Sequence, residues 1–136
     1  MAAKSGEMRE TIEQAAQAGE RFSELYYQTF DKSRHKMSKF YSANATVLWN
    51  GNVVKGEPDK LMDFFTNLPS SQHTLHSLDC QPVTDQAIPG HKTILVIAEG
   101  SVKYDGHKVE NFSQNFLLTV EGTVWKVASD CFRYIE

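Results

Sequence analysis

Four side chains in this sequence have the chemistry of an acid–base site: the carboxylates Asp79 and Asp130 and the phenols Tyr26 and Tyr41. Small enzymes that work in an apolar pocket place one acid and a tyrosine donor inside it. The same residues also fit a structural role, because core tyrosines commonly direct their hydroxyls towards the rim. Asp130 would then be paired or solvated. The sequence permits both interpretations.

Histidines and cysteines are the other candidates for chemistry. His73 and His76 are three residues apart, and on a strand this spacing directs the side chains to opposite faces, which disfavours metal chelation. Cys80 and Cys131 each follow an aspartate, but no sequence feature supplies a base for either thiol. We expect no metal site, no catalytic cysteine, reduced thiols and, without a glycine-rich phosphate loop, no cofactor.

The elements that would position these side chains are organised around residues 93–135. Three runs rich in β-branched and aromatic residues are separated there by Asp105-Gly106 and Glu121-Gly122. Dipeptides that end in glycine favour tight turns between antiparallel strands. We therefore predict three long antiparallel strands joined by two tight turns.

Helical periodicity dominates the first half of the chain. From about Met8 to Phe30, apolar residues recur every three or four positions, which predicts an amphipathic helix of some six turns. A short second helix is predicted over residues 32–40. A third is predicted over residues 57–68, where Pro69 ends the apolar stripe.

Two shorter segments have the pattern of strands. Residues 44–49 are predicted to form a strand that turns back at Asn50-Gly51, the dipeptide most favoured in two-residue hairpins. Residues 72–81 are predicted to form another, and Pro82 indicates that it ends there or lies at an edge of the sheet.

This order of elements predicts an α+β fold, in which a curved antiparallel sheet forms a cone packed on N-terminal helices. We expect a single domain over residues 1–136, with residues 1–7 flexible. Residues 84–91 are expected to form a loop.

Composition and charge disfavour several classes of protein. The net charge is −3 with acids and bases interspersed, so no basic field points to nucleic acid. The basic cluster over residues 32–39 is typical of a solvated helix surface. No run of about 18 apolar residues is present to span a membrane, and the N-terminus lacks the apolar segment of a signal peptide. We expect a location in the cytosol or nucleus.

The alternation in the last two strands bears on what the second face of the sheet contacts. Neither parity is cleanly polar, although a strand with one solvated face should alternate apolar and polar residues. Large apolar groups diluted by Ser, Thr, Asn, Cys and Arg suit a face that contacts another protein. Alternatively, bulges switch the parity within long strands and both sets of residues enter one core.

Several short strings carry a more specific signal. They are Tyr26-Tyr27, residues 45–52 (ATVLWNGN), 68–71 (LPSS), 79–83 (DCQPV), 100–103 (GSVK), 114–116 (QNF) and 125–133 (WKVASDCFR). Together with the order of elements, these strings resemble the nuclear transport factor 2-like family. Within it, they resemble the export proteins that form the small subunit of the messenger RNA export receptor. The resemblance extends over nearly the whole chain.

The resemblance implies a function that composition does not show. Export proteins of this kind have no enzymatic activity, and they pair through the open face of the sheet with a related domain of the large RNA export factor. The heterodimer contacts Phe-Gly repeats of nucleoporins and carries messenger ribonucleoprotein through nuclear pores. The resemblance thus implies shuttling between nucleus and cytoplasm, without a membrane or sequence-specific binding of nucleic acid by this chain.

The resemblance also implies where the partner binds. In the family, an arginine near the end of the last strand forms an ion pair with an aspartate of the large subunit, and Arg133 matches that arginine. The expected partner surface comprises Arg133, Cys131, Ser129, Val127, Asn115, Leu117 and Ser101.

Two alternative functions are compatible with the same fold. One is a homodimeric transport factor that carries a small GTPase, although no motif here matches its GTPase-binding residues. The other is a small isomerase or dehydratase that uses an acid inside the cone.

Overall fold

The computed structural model describes residues 2–83 and 92–135, and for residues 2–5 and 7 it describes the backbone alone. The loop expected over residues 84–91 lies outside the described residues. Three helices and six strands make up the described part of the chain. The helices are α1 (Ala2–Lys32), a 3₁₀ helix (Arg34–Phe40) and α2 (Pro58–Thr66). The strands are β1 (Tyr41–Trp49), β2 (Asn52–Val54), β3 (Ser71–Val83), β4 (Thr93–Tyr104), β5 (Glu110–Glu121) and β6 (Val124–Ile135).

The predicted helices and strands are confirmed, and the largest difference is the start of α1. The apolar stripe indicates a start near Met8, yet the helix begins at Ala2. Its N-terminal part extends beyond the core, since Met8 and Ile12 are 55% and 49% exposed. An exposed helical extension has no buried face, so apolar periodicity does not mark where it begins.

The strands form one sheet in the order β2-β1-β6-β5-β4-β3. The three predicted glycine turns are confirmed, with positive φ angles of 84° at Gly51, 80° at Gly106 and 65° at Gly122. β3 lies at an edge, as Pro82 indicates. The sheet is mixed and not wholly antiparallel as predicted, because β1 pairs with β6 in parallel.

One face of the sheet is covered by the helices. α1 approaches β3 closely at Gly19, where an added Cβ would lie 2.2 Å from Cys80 Sγ. The space between helices and sheet is filled by aromatic rings, including a stacked pair of Trp49 and Phe132 with centroids 4.0 Å apart. We call this side of the sheet the covered face; it includes Val47, Val96, Ala98, Phe112, Gln114, Phe116, Val127, Asp130 and Phe132.

A β-bulge in β6 corrects one sequence-based prediction. Leu117 of β5 pairs with Ser129 and Leu118 pairs with Val127, so Ala128 is an extra residue in the ladder. A bulge of this kind switches which side chains point to a given face. Val127 is therefore fully buried in the core, and its predicted place on the same surface as Ser129 was wrong.

Candidate partner-binding face of the sheet

The second face of the sheet is formed by the residues that alternate with those of the core. The pairing aligns Ile97 of β4, Asn115 of β5 and Cys131 of β6 in one row across three strands. We call this side the open face; it includes Leu48, Leu95, Ile97, Glu99, Ser101, Ser113, Asn115, Leu117, Ser129, Cys131 and Arg133.

The open face has an apolar centre and polar neighbours. Leu95 pairs with Leu117 and lies two residues from Ile97, and all three side chains are half-buried. Leu48 of β1, which pairs with Cys131, is 38% exposed. Glu99 and Arg133 are among the exposed polar residues near this centre. An apolar centre with a polar surround is the composition of a protein–protein interface.

Arg133 provides an exposed positive charge near the end of β6. It pairs with Ser113, which pairs in turn with Glu99 on the next strand. Within residues 2–83 and 92–135, no hydrogen bond or ion pair engages its guanidinium. A planar guanidinium of this kind is suited to a two-point contact with a carboxylate from outside the chain.

Six of the seven residues predicted for the partner surface lie on the open face: Arg133, Cys131, Ser129, Asn115, Leu117 and Ser101. Val127 lies on the covered face. The sequence-based prediction missed Leu48, Leu95 and Ile97. The run from Thr93 to Ile97 carries five β-branched or leucine residues in succession, so alternation could not separate its two sides. Leu48 belongs to this face only because β1 pairs with β6.

The structure brings three of the four acid–base candidates together on the covered face. Tyr41 Oη donates a hydrogen bond of 2.6 Å to Asp130 Oδ2, and Tyr26 Oη lies 2.8 Å from Tyr41 Oη. Gln114 Nε2 donates to Asp130 Oδ1 at 2.9 Å. Tyr27 Oη in turn donates to Gln114 Oε1 at 2.8 Å. Gln114 and Tyr27 lie in strings that carry the family resemblance, but local patterning does not place them in this network, because their contacts depend on the packing of α1 against the sheet.

This buried network has the character of a structural element. Burial raises the pKa of Asp130 to about 6, although hydrogen bonds from Tyr41, Gln114 and Tyr26 act in the opposite direction. Burial also raises the pKa of each of the two tyrosines well above its usual value. Tyr26 and Asp130 are 0% and 1% exposed, so both lie within the core. A carboxylate in this position orients the core.

The fourth acid–base candidate, Asp79, is far from this network in the sheet. It lies on β3, pairs with Ile97 and is exposed, and its Oδ2 accepts a hydrogen bond of 3.0 Å from Gln81. Asp79 is therefore a surface residue beside the open face.

The histidines are separated by a second bulge, at His76 in β3. His73 Nδ1 lies 2.6 Å from Asp31 Oδ1, and the His73 ring contacts Phe30. Burial acts to raise the pKa of Asp31, but hydrogen bonds from His73 and Ser71 outweigh it and leave this pKa below the usual value. His76 is exposed. His73 thus anchors β3 to the end of α1.

Both cysteines are free thiols. Burial, with the nearby charges of Asp79 and Glu20, raises the pKa of Cys80 to about 11, so its nucleophilic thiolate form is scarce near neutral pH. Across the described ranges, His, Cys, Asp and Glu side chains do not gather in groups of three or more that would suit a metal ion. None of the described helices has the length and apolar character needed to cross a membrane.

The fold and the open face together define the class of protein. A sequence model of the nuclear transport factor 2 domain matches residues 18–134, and the chain belongs to this family. Within the family, human NTF2-related export protein 2 is 47% identical over 136 residues, covering 97% of this chain and 95% of that relative. This agrees with the resemblance carried by the sequence strings.

Solved structures confirm the fold. Nuclear transport factor 2 from Cryptosporidium parvum matches with a TM-score of 0.77 and 26% identity, covering 90% of this chain and 95% of that one. A chain of the Mtr2–Mex67 M domain complex from Candida albicans matches with a TM-score of 0.68. Its identity is 15%, with 89% of this chain and 96% of that chain covered.

Proposed function

We propose that this chain is a non-catalytic subunit of a messenger RNA export receptor. It pairs through its open face with the related domain of a large nuclear RNA export factor. The proposal is supported by the 47% identity to an NTF2-related export protein over nearly its full length. A structural neighbour of the same fold comes from a complex of two proteins, Mtr2 and the Mex67 M domain.

The observation that carries the proposal is the apolar centre of the open face. The core of this domain is complete on the covered face, where its large side chains are fully buried. Leu95, Ile97 and Leu117 contribute nothing to that core, yet they lie together and only half-buried. Permanent heterodimers of this kind bury about 2,000 Å² or more in total, and covering these residues would stabilise such a pair.

Arg133 is proposed as the charged anchor of the interface. Its guanidinium is exposed and, among the described residues, has no carboxylate partner. A partner aspartate opposite it would form a charge-assisted pair that is desolvated when the faces close. Such a pair favours the correct partner and its orientation. Cys131, Ser129, Asn115, Leu117 and Ser101 would surround it.

We further propose that the heterodimer, and not the free chain, contacts the Phe-Gly repeats of nucleoporins. This assigns the chain to a complex that shuttles between nucleus and cytoplasm. Messenger RNA would be carried by the complex, since the net charge of −3 provides no general basic field for nucleic acid on this subunit.

A non-catalytic role is consistent with the packing of the acid–base candidates. Tyr26, Tyr41 and Asp130 bond to one another inside the core. Aromatic rings pack around them, with Phe116 at 4.9 Å from the Tyr26 ring. An isomerase or dehydratase would need these groups to line a cavity open to its substrate.

The proposal is tested by the composition of the assembly in solution. The purified chain is mixed with the NTF2-like domain of a large export factor and separated by size exclusion with light scattering. We expect a complex with one copy of each chain. A chain that stays a homodimer in the presence of that domain would contradict the proposal and favour the homodimeric transport factor.

A further inference from the structure

An apolar groove lies on the helix side of the molecule, away from the open face. It is bounded by α1, by the 3₁₀ helix and by the start of β6, and has a volume of about 620 Å³. Its apolar lining includes Phe22 and Leu25 of α1, Phe40 of the 3₁₀ helix and Trp125 of β6. None of these four residues belongs to the open face, so the floor of the groove and the open face are formed by different side chains.

The floor of the groove is rigid and its walls are exposed. The Phe22 ring meets Phe40 edge-on at 5.9 Å and Phe116 of the core at 5.0 Å, which fixes its orientation. Leu25 and Val124 at the walls are 50% and 52% exposed. Large apolar side chains that are exposed around one preformed depression mark a binding site for an apolar group.

The rim of the groove is basic. Among the described residues, its lining includes Arg21, Lys36, Lys39 and Lys126 and no Asp or Glu. This concentration of positive charge contrasts with the net charge of −3 of the whole chain. The Lys126 ammonium donates a hydrogen bond to the main-chain oxygen of Lys39 and so links β6 to the 3₁₀ helix. A basic rim around an apolar floor is complementary to an acidic ligand that carries an apolar group.

We propose that this groove binds an acidic peptide segment of another protein. One aromatic or large aliphatic side chain of the segment enters between Phe22, Leu25 and Trp125. Flanking Asp and Glu residues pair with the basic rim. The proposal goes beyond the heterodimer, because the groove and the open face lie on different sides of the chain.

The geometry favours a peptide over a nucleic acid. Phe22 is 6% exposed, so it offers no flat ring surface on which a base could stack. The apolar residues instead line a depression, and the basic residues lie around it on the rim.

The test is a binding titration with a fluorescein-labelled peptide of sequence Asp-Glu-Asp-Phe-Glu-Leu-Asp-Glu. Fluorescence polarisation is measured with the full chain, alone and in its heterodimer. We expect saturable binding in both states that weakens as salt is raised. A matched peptide with Asn and Gln in place of the acids, and another with Ser in place of Phe and Leu, should each bind at least about tenfold more weakly.

Charge-matched variants locate the site. The double substitution Lys36→Glu with Lys39→Glu should weaken binding of the acidic peptide at least about tenfold, since it reverses two of the four rim charges. The control is Lys55→Glu with Lys108→Glu, which makes the same change at exposed residues outside the groove; it should leave binding unchanged. Leu25→Ser should weaken binding without affecting the basic rim.

Three results would overturn the proposal. One is the absence of saturable binding by the acidic peptide. Another is equal weakening by the two double variants, which would indicate a general charge effect. The third is the binding of a single-stranded RNA of equal net charge to the groove when the peptide does not bind. Thermal unfolding of each variant checks that the fold is retained.

Discussion

The two faces of the sheet differ in how far their side chains are buried within the chain. On β6, Phe132 and Arg133 are neighbours in sequence but face opposite ways. Phe132 is 1% exposed and stacks between Trp49 and Phe112, whereas Arg133 is exposed. The large side chains of the covered face are buried within the chain, whereas those of the open face are half-buried or exposed.

Under the proposed function, stability and partner binding depend on alternating residues of the same strand. Asp130 and Phe132 maintain the core, while Ser129, Cys131 and Arg133 are available to a partner. Substitutions on the two faces should therefore have separable effects. A change on the covered face lowers the free energy of unfolding, and a change on the open face lowers affinity for the large subunit.

The largest effect on stability is expected for Phe132→Ala. Removing a fully buried ring from a stacked aromatic cluster should lower the free energy of unfolding by about 3–5 kcal/mol. Urea denaturation measures this change. The adjacent variant Arg133→Ala is the control and should stay within about 0.5 kcal/mol of the wild type. Equal losses for the two variants would break the distinction between the faces.

A smaller effect is expected from Asp130, and it depends on pH. The pKa of Asp130 is about 6 in the folded chain, above the usual value of about 3.9 for an unfolded chain. The folded state therefore binds this proton more tightly, and the resulting stability is full below about pH 4 and lost as pH rises through about 6.

The Asp130→Asn variant isolates this contribution. Between pH 4 and pH 7, the wild type should lose about 2 kcal/mol of unfolding free energy relative to the variant. Asp31, whose pKa is lowered, has the opposite dependence but is present in both proteins and cancels in the comparison. Urea denaturation across this pH range measures the difference in unfolding free energy between the wild type and the Asp130→Asn variant. Parallel curves of unfolding free energy against pH for the two proteins would show that Asp130 does not titrate as proposed.

The smallest effect concerns the bulge at Ala128. Val127→Ala removes two methyl groups from a fully buried position and should cost about 1.5 kcal/mol of stability, with affinity for the large subunit unchanged. The matched variant Ser129→Ala, one pair further along the ladder, should change stability by less than about 0.5 kcal/mol. Unfolding and partner titration are measured for both. A loss of affinity for the large subunit with Val127→Ala would show that Val127 contributes to partner binding.

Much of the fold follows from local sequence signals. The turns at Gly51, Gly106 and Gly122 are predictable because each needs a positive φ angle. The strands between them follow from β-branched and aromatic runs. In contrast, the parallel pairing of β1 with β6 joins residues more than eighty positions apart in the chain, and no local pattern encodes it.

The candidate site is only partly predictable for the same reason. Arg133, Cys131 and Ser129 follow from alternation near the end of β6 together with the family resemblance. Val127 was misplaced because a single extra residue at Ala128 reverses the alternation, and Ala carries no signal for a bulge. Leu48 reaches the open face only through its distant pairing.

The affinity of the Arg133→Glu variant for the NTF2-like domain of a large export factor tests the account most directly. Isothermal titration should show at least about a 100-fold loss relative to the wild type, because the introduced carboxylate would face the partner's aspartate. Arg21→Glu, the same change at an exposed residue on the helix side, should bind this domain as the wild type does. Wild-type affinity for a correctly folded Arg133→Glu variant would contradict the assignment of the open face as the partner surface anchored by Arg133.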